Sequence, residues 1–248
     1  MPSQDKYKAL AGSFNEYLKD FFEPPANHTT YHFGYKPVFD IIAATPGFPD
    51  VAVVDYGSGA GQFCAWLNDF GADVTGVEIS HAMLETAKQN FPEIADHFIH
   101  ADQLVPGMDG QFDICTMHFV TCEIPDAEQL DTLLSTASRL LKPNGKCIIL
   151  TNNPEASPNG AEFVIWSTGP VKIDQPGSAF EVTIHTEEVN FTLTDRFWPK
   201  AYIEQRLNMV GFNHIEIFEP IINETALKAN WKDETRIAPT FIFIATKA

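Results

Sequence analysis

Three glycines at alternate positions, Gly57, Gly59 and Gly61, follow the β-branched pair Val53-Val54 and a single acid, Asp55. This spacing constrains the fold more than any other stretch of the chain. A strand must end there, the backbone must turn through positive φ, and a helix must start. With every Cβ removed, main-chain amides can approach a polar ligand beside the N-terminus of that helix. Phe63, Trp66, Leu67 and Phe70 then recur at helical spacing, and Gly71 supplies the stop.

A second short strand, Val74-Thr75-Gly76-Val77, ends in Glu78. A carboxylate about twenty positions beyond a glycine turn can accept both hydroxyls of a ribose. Strands and helices keep alternating from there. Strand candidates lie at 51–56, 73–78, 97–100, 112–118 and 147–151, with helical patterns at about 61–70, 81–90 and 126–141. Such alternation predicts an α/β fold, a parallel doubly wound sheet with helices on both faces and a ligand beyond the carboxyl ends of its strands.

The rhythm breaks after the fifth strand. Phe180, Val182 and Ile184 alternate, His185-Thr186-Glu187-Glu188 reads as a turn, and Val189, Phe191 and Leu193 alternate again. Residues 152–200 therefore read as an inserted antiparallel β-hairpin forming a substrate or cap region within one domain of residues 1–248. A helix ending at Gly211 and strands at about 213–218 and 239–246 bring the main sheet to seven strands. Ahead of it, Tyr7, Leu10, Phe14, Tyr17, Leu18 and Phe21 predict an amphipathic helix, and a shorter helix is expected around Pro37 to Ala44.

The 248 residues include 33 acids against 16 Lys and Arg, a formal charge of −17. Such a surface repels phosphate backbones and anionic membranes, so a small molecule is the expected partner and nucleic acid and membrane are not. No apolar run of eighteen residues and no leader pattern is present, and Cys64, Cys115, Cys122 and Cys147 lack Cys-x-x-Cys spacing. A cytoplasmic protein with reduced thiols is the expectation.

The glycine spacing separates two classes of cofactor. The dinucleotide fingerprint is Gly-x-Gly-x-x-Gly, whereas Asp55-Tyr56-Gly57-Ser58-Gly59-Ala60-Gly61 resembles the first motif of the class I S-adenosylmethionine-dependent methyltransferases, Asp-x-Gly-x-Gly-x-Gly. Ala101-Asp102-Gln103, after the third strand, and Leu140-Leu141-Lys142-Pro143-Asn144-Gly145, before the fifth, resemble later family landmarks. Asn144 departs from the family's usual glycine. The resemblance implies a Rossmann-like seven-stranded mostly parallel sheet whose antiparallel last strand inserts between the fifth and sixth. It implies a helical lid over residues 1–45, and S-adenosyl-L-methionine as cofactor with S-adenosyl-L-homocysteine as product. It places Asp55, Gly57, Gly59, Gly61, Glu78, Ile79, Asp102, Gln103 and His118 around that cofactor. The C-terminal layout, with Phe197-Trp198-Pro199, Trp231 and Ala238-Pro239, more loosely resembles the group of small-molecule methyltransferases that includes toxoflavin synthase.

His118, ending the fourth strand, is the candidate general base; its alternatives are a structural histidine or a backbone contact to the cofactor. Tyr31, His32, Tyr35, Phe119, Trp166, Phe197 and Trp198 are the candidate walls of an acceptor site, or else packing between insertion and sheet. An Asn/Asp-Pro-Pro-aromatic motif at the fourth strand's end is missing, which again disfavours a nucleic-acid base. His28/His32 and His97/His100 lack a third ligand at familiar spacing, so no metal is expected. A nicotinamide-dependent oxidoreductase and a non-catalytic cofactor-binding or assembly module are the rival readings.

Overall fold

The computed structural model describes residues 21–186, 190–221 and 229–248. The helix expected over the first twenty residues lies outside this set. A π-helical turn at Tyr31–Tyr35 runs into α1 (Lys36–Ala43). Then follow β1 (Ala52–Tyr56), α2 (Gln62–Asp69), β2 (Asp73–Glu78), α3 (His81–Asn90), β3 (Phe98–His100), β4 (Phe112–His118), α4 (Ala127–Leu140) and β5 (Leu141–Asn152).

After β5 come four strands of a separate sheet: β6 (Ala161–Glu162), β7 (Trp166–Thr168), β8 (Ser178–His185) and β9 (Asn190–Phe197). The chain then returns through α5 (Lys200–Met209), β10 (Phe212–Phe218) and β11 (Thr240–Lys247). The main sheet has seven strands in the order β10-β11-β5-β4-β1-β2-β3. Strands β1 to β5 pair in parallel, and β11 runs antiparallel to both β5 and β10.

Alternation along the strands divides the interior into two layers. Val53, Ile148 and Ile242 face one core with Val38 and Ile42 of α1, Phe63 and Leu67 of α2 and Leu84 of α3. Their neighbours Val54, Ile149 and Phe243 face the other, against Leu130 and Leu134 of α4 and Ile203 and Leu207 of α5. Both faces of the central strands are buried, which is why those strands read as continuous apolar runs. Asn144 takes a positive φ of 63°, the conformation for which Asn substitutes tolerably for glycine. All four cysteines are buried, and none is in a disulfide.

The insertion holds more than the expected hairpin. Its β8–β9 pair is antiparallel, with Ile184 opposite Phe191 and Val182 opposite Leu193. Strands β6 and β7 extend it to a four-stranded antiparallel sheet. They are only two and three residues long, too short to leave a period in the sequence.

Two polar clusters tie this small sheet to the rest. At its base, the Lys200 ammonium contacts Asn153 Oδ1 at 3.0 Å, Glu155 Oε2 at 3.1 Å and Glu219 Oε1 at 3.0 Å. The Lys200 amide donates to Glu155 Oε1 at 2.9 Å. Farther out, the fully buried Glu234 carboxylate accepts from Thr29 Oγ1 at 2.6 Å, the Val164 amide at 2.7 Å and the Lys232 amide at 2.9 Å. One carboxylate thus joins the N-terminal segment, the insertion and the chain ahead of β11, which satisfies the requirement that a buried charge be met by donors.

Candidate active site

The carboxyl ends of β1, β2, β4 and β5 bring Asp55, Glu78, His118 and Asn152 to one edge of the sheet, where they line a cavity of about 640 Å³. The small sheet faces them with Trp166, Val182, Ile184, Leu193 and Asp195, and the N-terminal segment adds Phe21, Thr30 and Tyr35. That volume lies in the ordinary range for small-molecule sites.

The glycine turn shapes one end. Gly57, Gly59 and Gly61 have φ of 87°, 55° and 90°. A Cβ on Gly57 would come within 2.4 Å of Val120 Cγ2. Four of the turn's five amides are spent internally, contrary to the expectation that they reach a ligand: Gly57 and Ser58 donate to Val77 O, Gly59 to Glu78 Oε2 and Gly61 to Ser58 O. The glycines therefore contribute close approach rather than an anion cradle. A pyrophosphate needs such donors or cationic side chains, whereas a phosphate-free adenosyl sulfonium needs neither.

Glu78 is fixed with care. Its Oε1 accepts from the amides of Ile79 and Ser80, both at 2.8 Å, and its Oε2 from Gly59 at 2.9 Å. Burial raises the carboxyl above its usual range, against the opposing pull of these three amides. Asp55, 1% exposed, accepts from Thr116 Oγ1 at 2.8 Å and from Cys64 Sγ at 3.5 Å. His118 Nδ1 lies 3.2 Å from Asp55 Oδ1. An ionised carboxylate only accepts, so the imidazole hydrogen belongs on Nδ1 and the lone pair on Nε2. His118 Nε2 is buried without a protein partner, and so is Ser58 Oγ in the glycine turn. The ring of Phe63 stands 4.2 Å from the imidazole and that of Tyr35 5.3 Å.

These features suit S-adenosylmethionine: a turn with glycine at three of its five positions, a carboxylate oriented at the adjoining strand end, two unpartnered buried polar atoms, and space for a second molecule beyond His118.

The cavity gathers most, not all, of the residues singled out in the sequence. Asp55, Gly57, Gly59, Glu78, Ile79, His118, Tyr35, Phe119 and Trp166 line it. Gly61 sits behind it, close to Phe98, Ala87 and Phe91. Asp102 and Gln103 do not line it. His100 Nδ1 accepts the Asp102 amide and Gln103 Oε1 accepts the His100 amide, a short capped turn that leaves the Asp102 side chain 92% exposed.

The aromatic set divides for reasons of packing. Tyr31 lies against Trp66 and His32 against Trp231. Phe197 belongs to the insertion's core, and Trp198 stacks on Tyr202 at 5.5 Å. Asn152 and Asp195 escaped the sequence reading. The signal for Asp195 was its place in the inward series Phe191, Leu193, Asp195, Phe197.

Among the described residues the cavity lining holds six carboxylates, Asp55, Glu78, Glu123, Asp126, Glu128 and Asp195, and neither Lys nor Arg. Nor does any group of three or more His, Cys, Asp or Glu among them have a metal-holding arrangement. No helix among them is long and apolar enough to cross a membrane.

Comparison with known proteins gives a consistent picture. Residues 54–149 match the family described as a methyltransferase domain. A ubiquinone biosynthesis O-methyltransferase of Pseudomonas paraeruginosa is 30% identical over 147 residues, covering 53% of this chain and 62% of that protein. A biotin biosynthesis bifunctional protein of Cellvibrio japonicus is 31% identical over 168 residues, 67% of this chain but 28% of its own length. The chain thus spans about three fifths of the length of the first relative and less than a third of the second. In fold, it is similar to a Thermotoga maritima protein described as an S-adenosylmethionine-dependent methyltransferase, possible histamine N-methyltransferase. That likeness has a TM-score of 0.60 at 15% identity and covers 99% of this chain and 100% of the other.

Proposed function

We propose that this protein, whose residues 54–149 match a methyltransferase-domain family, transfers the methyl group of S-adenosylmethionine to a nitrogen or oxygen of a small molecule. The observation that carries the reading is the continuity of one cavity from the glycine turn and Glu78, past His118, to the inner face of the inserted sheet. Cofactor and acceptor then share a single water-excluding chamber. The neighbours named an O-methyltransferase and a possible N-methyltransferase support the choice of acceptor atoms.

When bound, the cofactor supplies a methyl group already activated on a positive sulfur. What the chain must add is alignment, exclusion of water and a place for one proton. Glu78 holds the ribose hydroxyls, and the Gly57–Gly61 turn admits the methionine end against bare backbone. Phe63, Tyr35 and Phe119 shield the reacting centre. His118 Nε2 takes the acceptor's proton, while Asp55 keeps Nδ1 protonated and the ring oriented, the division of labour of an Asp–His pair.

Calorimetric titration of the full chain tests the cofactor. S-adenosylhomocysteine is expected to bind and NAD not to; the reverse result establishes the oxidoreductase reading, and no binding of either leaves an assembly module. With an acceptor that the native protein methylates, His118→Ala is expected to keep its S-adenosylhomocysteine affinity and lose about 10²-fold in kcat. An unchanged kcat removes the base role from His118.

A further inference from the structure

One amide on the cavity wall is held in a single orientation. Asn152, the last residue of β5, is buried and lines the cavity. Its Nδ2 donates to Asp195 Oδ2 at 2.6 Å, and Asp195 lines the same cavity from β9. A carboxylate only accepts, so the amide nitrogen must face Asp195 and the amide oxygen must face away. That oxygen has no hydrogen-bond partner among the described residues. His118 pairs with Leu150, which places Asn152 two residues further along β5, on the same face and roughly 7 Å beyond the imidazole's register.

We infer that Asn152 Oδ1 is a recognition point for the substrate, which brings a hydrogen-bond donor there, an O–H or N–H, apart from the atom that is methylated. Asp195 is the positioning residue that sets this polarity. The inference rests on the methyltransferase reading of the same cavity. A free amide can turn over and offer either its hydrogens or its oxygen. A bond to a carboxylate, stronger than one between neutral groups, removes that choice. The constraint holds whatever else Asp195 touches, since a carboxylate accepts from every partner. Trp166, Val182, Ile184 and Leu193 give this side of the cavity an apolar wall. Against such a wall a donor that meets Oδ1 gains a bond, whereas an ether oxygen in its place meets a second acceptor and gains none. Discrimination then comes from the amide oxygen that the wrong molecule leaves unpaired. The substrate is thus a molecule with two separate polar hydrogens, one given up to His118 Nε2 on methylation and the other kept for Asn152.

The test measures binding to the full chain saturated with S-adenosylhomocysteine. The probes are resorcinol, hydroquinone and 2,6-dihydroxynaphthalene, each against its monomethyl ether, in which one donor has become an acceptor alone. At least one diol is expected to bind about tenfold or more tighter than its ether. In Asp195→Asn the new amide can donate to Asn152 Oδ1 and turn Nδ2 towards the substrate. There the preference is expected to fall below about threefold, with S-adenosylhomocysteine affinity unchanged. Asn152→Ala is expected to lose the preference in the same way. A merely structural tie between insertion and sheet would weaken diol and ether alike and leave their ratio intact. Equal binding of diols and ethers by the native chain, failure of every diol to bind, or a ratio that survives in Asp195→Asn overturns the proposal. Failure of S-adenosylhomocysteine itself to bind is a separate result that overturns the methyltransferase reading.

Discussion

Replacing Glu78 by Ala is expected to weaken S-adenosylhomocysteine binding by about 10²- to 10⁴-fold. The estimate follows from two ribose hydroxyls donating to one carboxylate, each such charge-assisted bond contributing roughly 1.5–3 kcal/mol, with about 1.4 kcal/mol per factor of ten. The same change strands the amides of Gly59, Ile79 and Ser80, which now converge on Glu78, so the turn itself loosens. Glu78→Gln, which keeps one acceptor oxygen, should fall between the two proteins.

Acid gives an independent measure of the same group. Burial holds the Glu78 carboxyl above the usual value of 4.5, so protonation begins at a higher pH than for an exposed glutamate. Affinity should be flat near neutrality and decline on acidification before ordinary carboxylates titrate, since a protonated carboxyl no longer accepts from both hydroxyls. The effect on folding has the opposite sign. A carboxyl whose folded pKa lies above its unfolded one binds its proton more readily in the folded state, so through this group stability rises as pH falls across that interval. Titration calorimetry and urea unfolding over the same pH series would expose the two trends. Affinity constant down to pH 4.5 contradicts the assignment.

The second large effect is on stability and separates two glycines that look alike in sequence. Gly61→Ala must hold a Cβ at a φ of 90°, at 2.7 Å from Phe98 Cζ and 3.1 Å from both Ala87 Cβ and Phe91 Cδ2. Left-handed backbone costs about 1–2 kcal/mol and overpacking about 1–3 kcal/mol. A loss of about 2–5 kcal/mol in urea unfolding is expected, a large share of a typical domain's ~5–15 kcal/mol. At Gly59 the new Cβ meets only Met83 Cε at 3.8 Å, so Gly59→Ala should lose only the backbone part, about 1–2 kcal/mol. Equal losses at the two positions would mean that Gly61 does not seat α2 against β3 and α3 as described.

The contrast between these glycines also marks what the sequence could and could not say. The strands of the main sheet and the β8–β9 pair were legible because apolar periodicity is imposed by burial, and burial here is nearly complete on both faces of β1, β4 and β5. Asp55, Glu78 and His118 were legible because strand ends in a parallel sheet converge on one edge. Asp102 was not, because a local hydrogen bond to His100 decides which way a short turn faces, and no period encodes it. Phe197 and Trp198 look like ligand contacts and are packing. Asp195 looks like a surface acid and is buried, since only its parity with Leu193 and Phe197 reveals the face it shares. Side-chain chemistry misled wherever direction was set by tertiary neighbours.

The knot of contacts around Lys200 bears on how such a chain diversifies. Asn153 and Lys200, the residues at which the inserted sheet departs and rejoins, touch each other through Oδ1 and Nζ. The stretch between them is therefore an excursion whose two ends meet, held to the rest a second time through Glu234. Closing an excursion whose ends already meet depends only logarithmically on its length. Residues 156–196 can therefore vary in length at small closure cost, whereas Trp198 belongs to the core of the seven-stranded platform. A lineage built on this plan can acquire new acceptors by trading one contiguous piece of gene, while Glu78 and the glycine turn pass on unaltered.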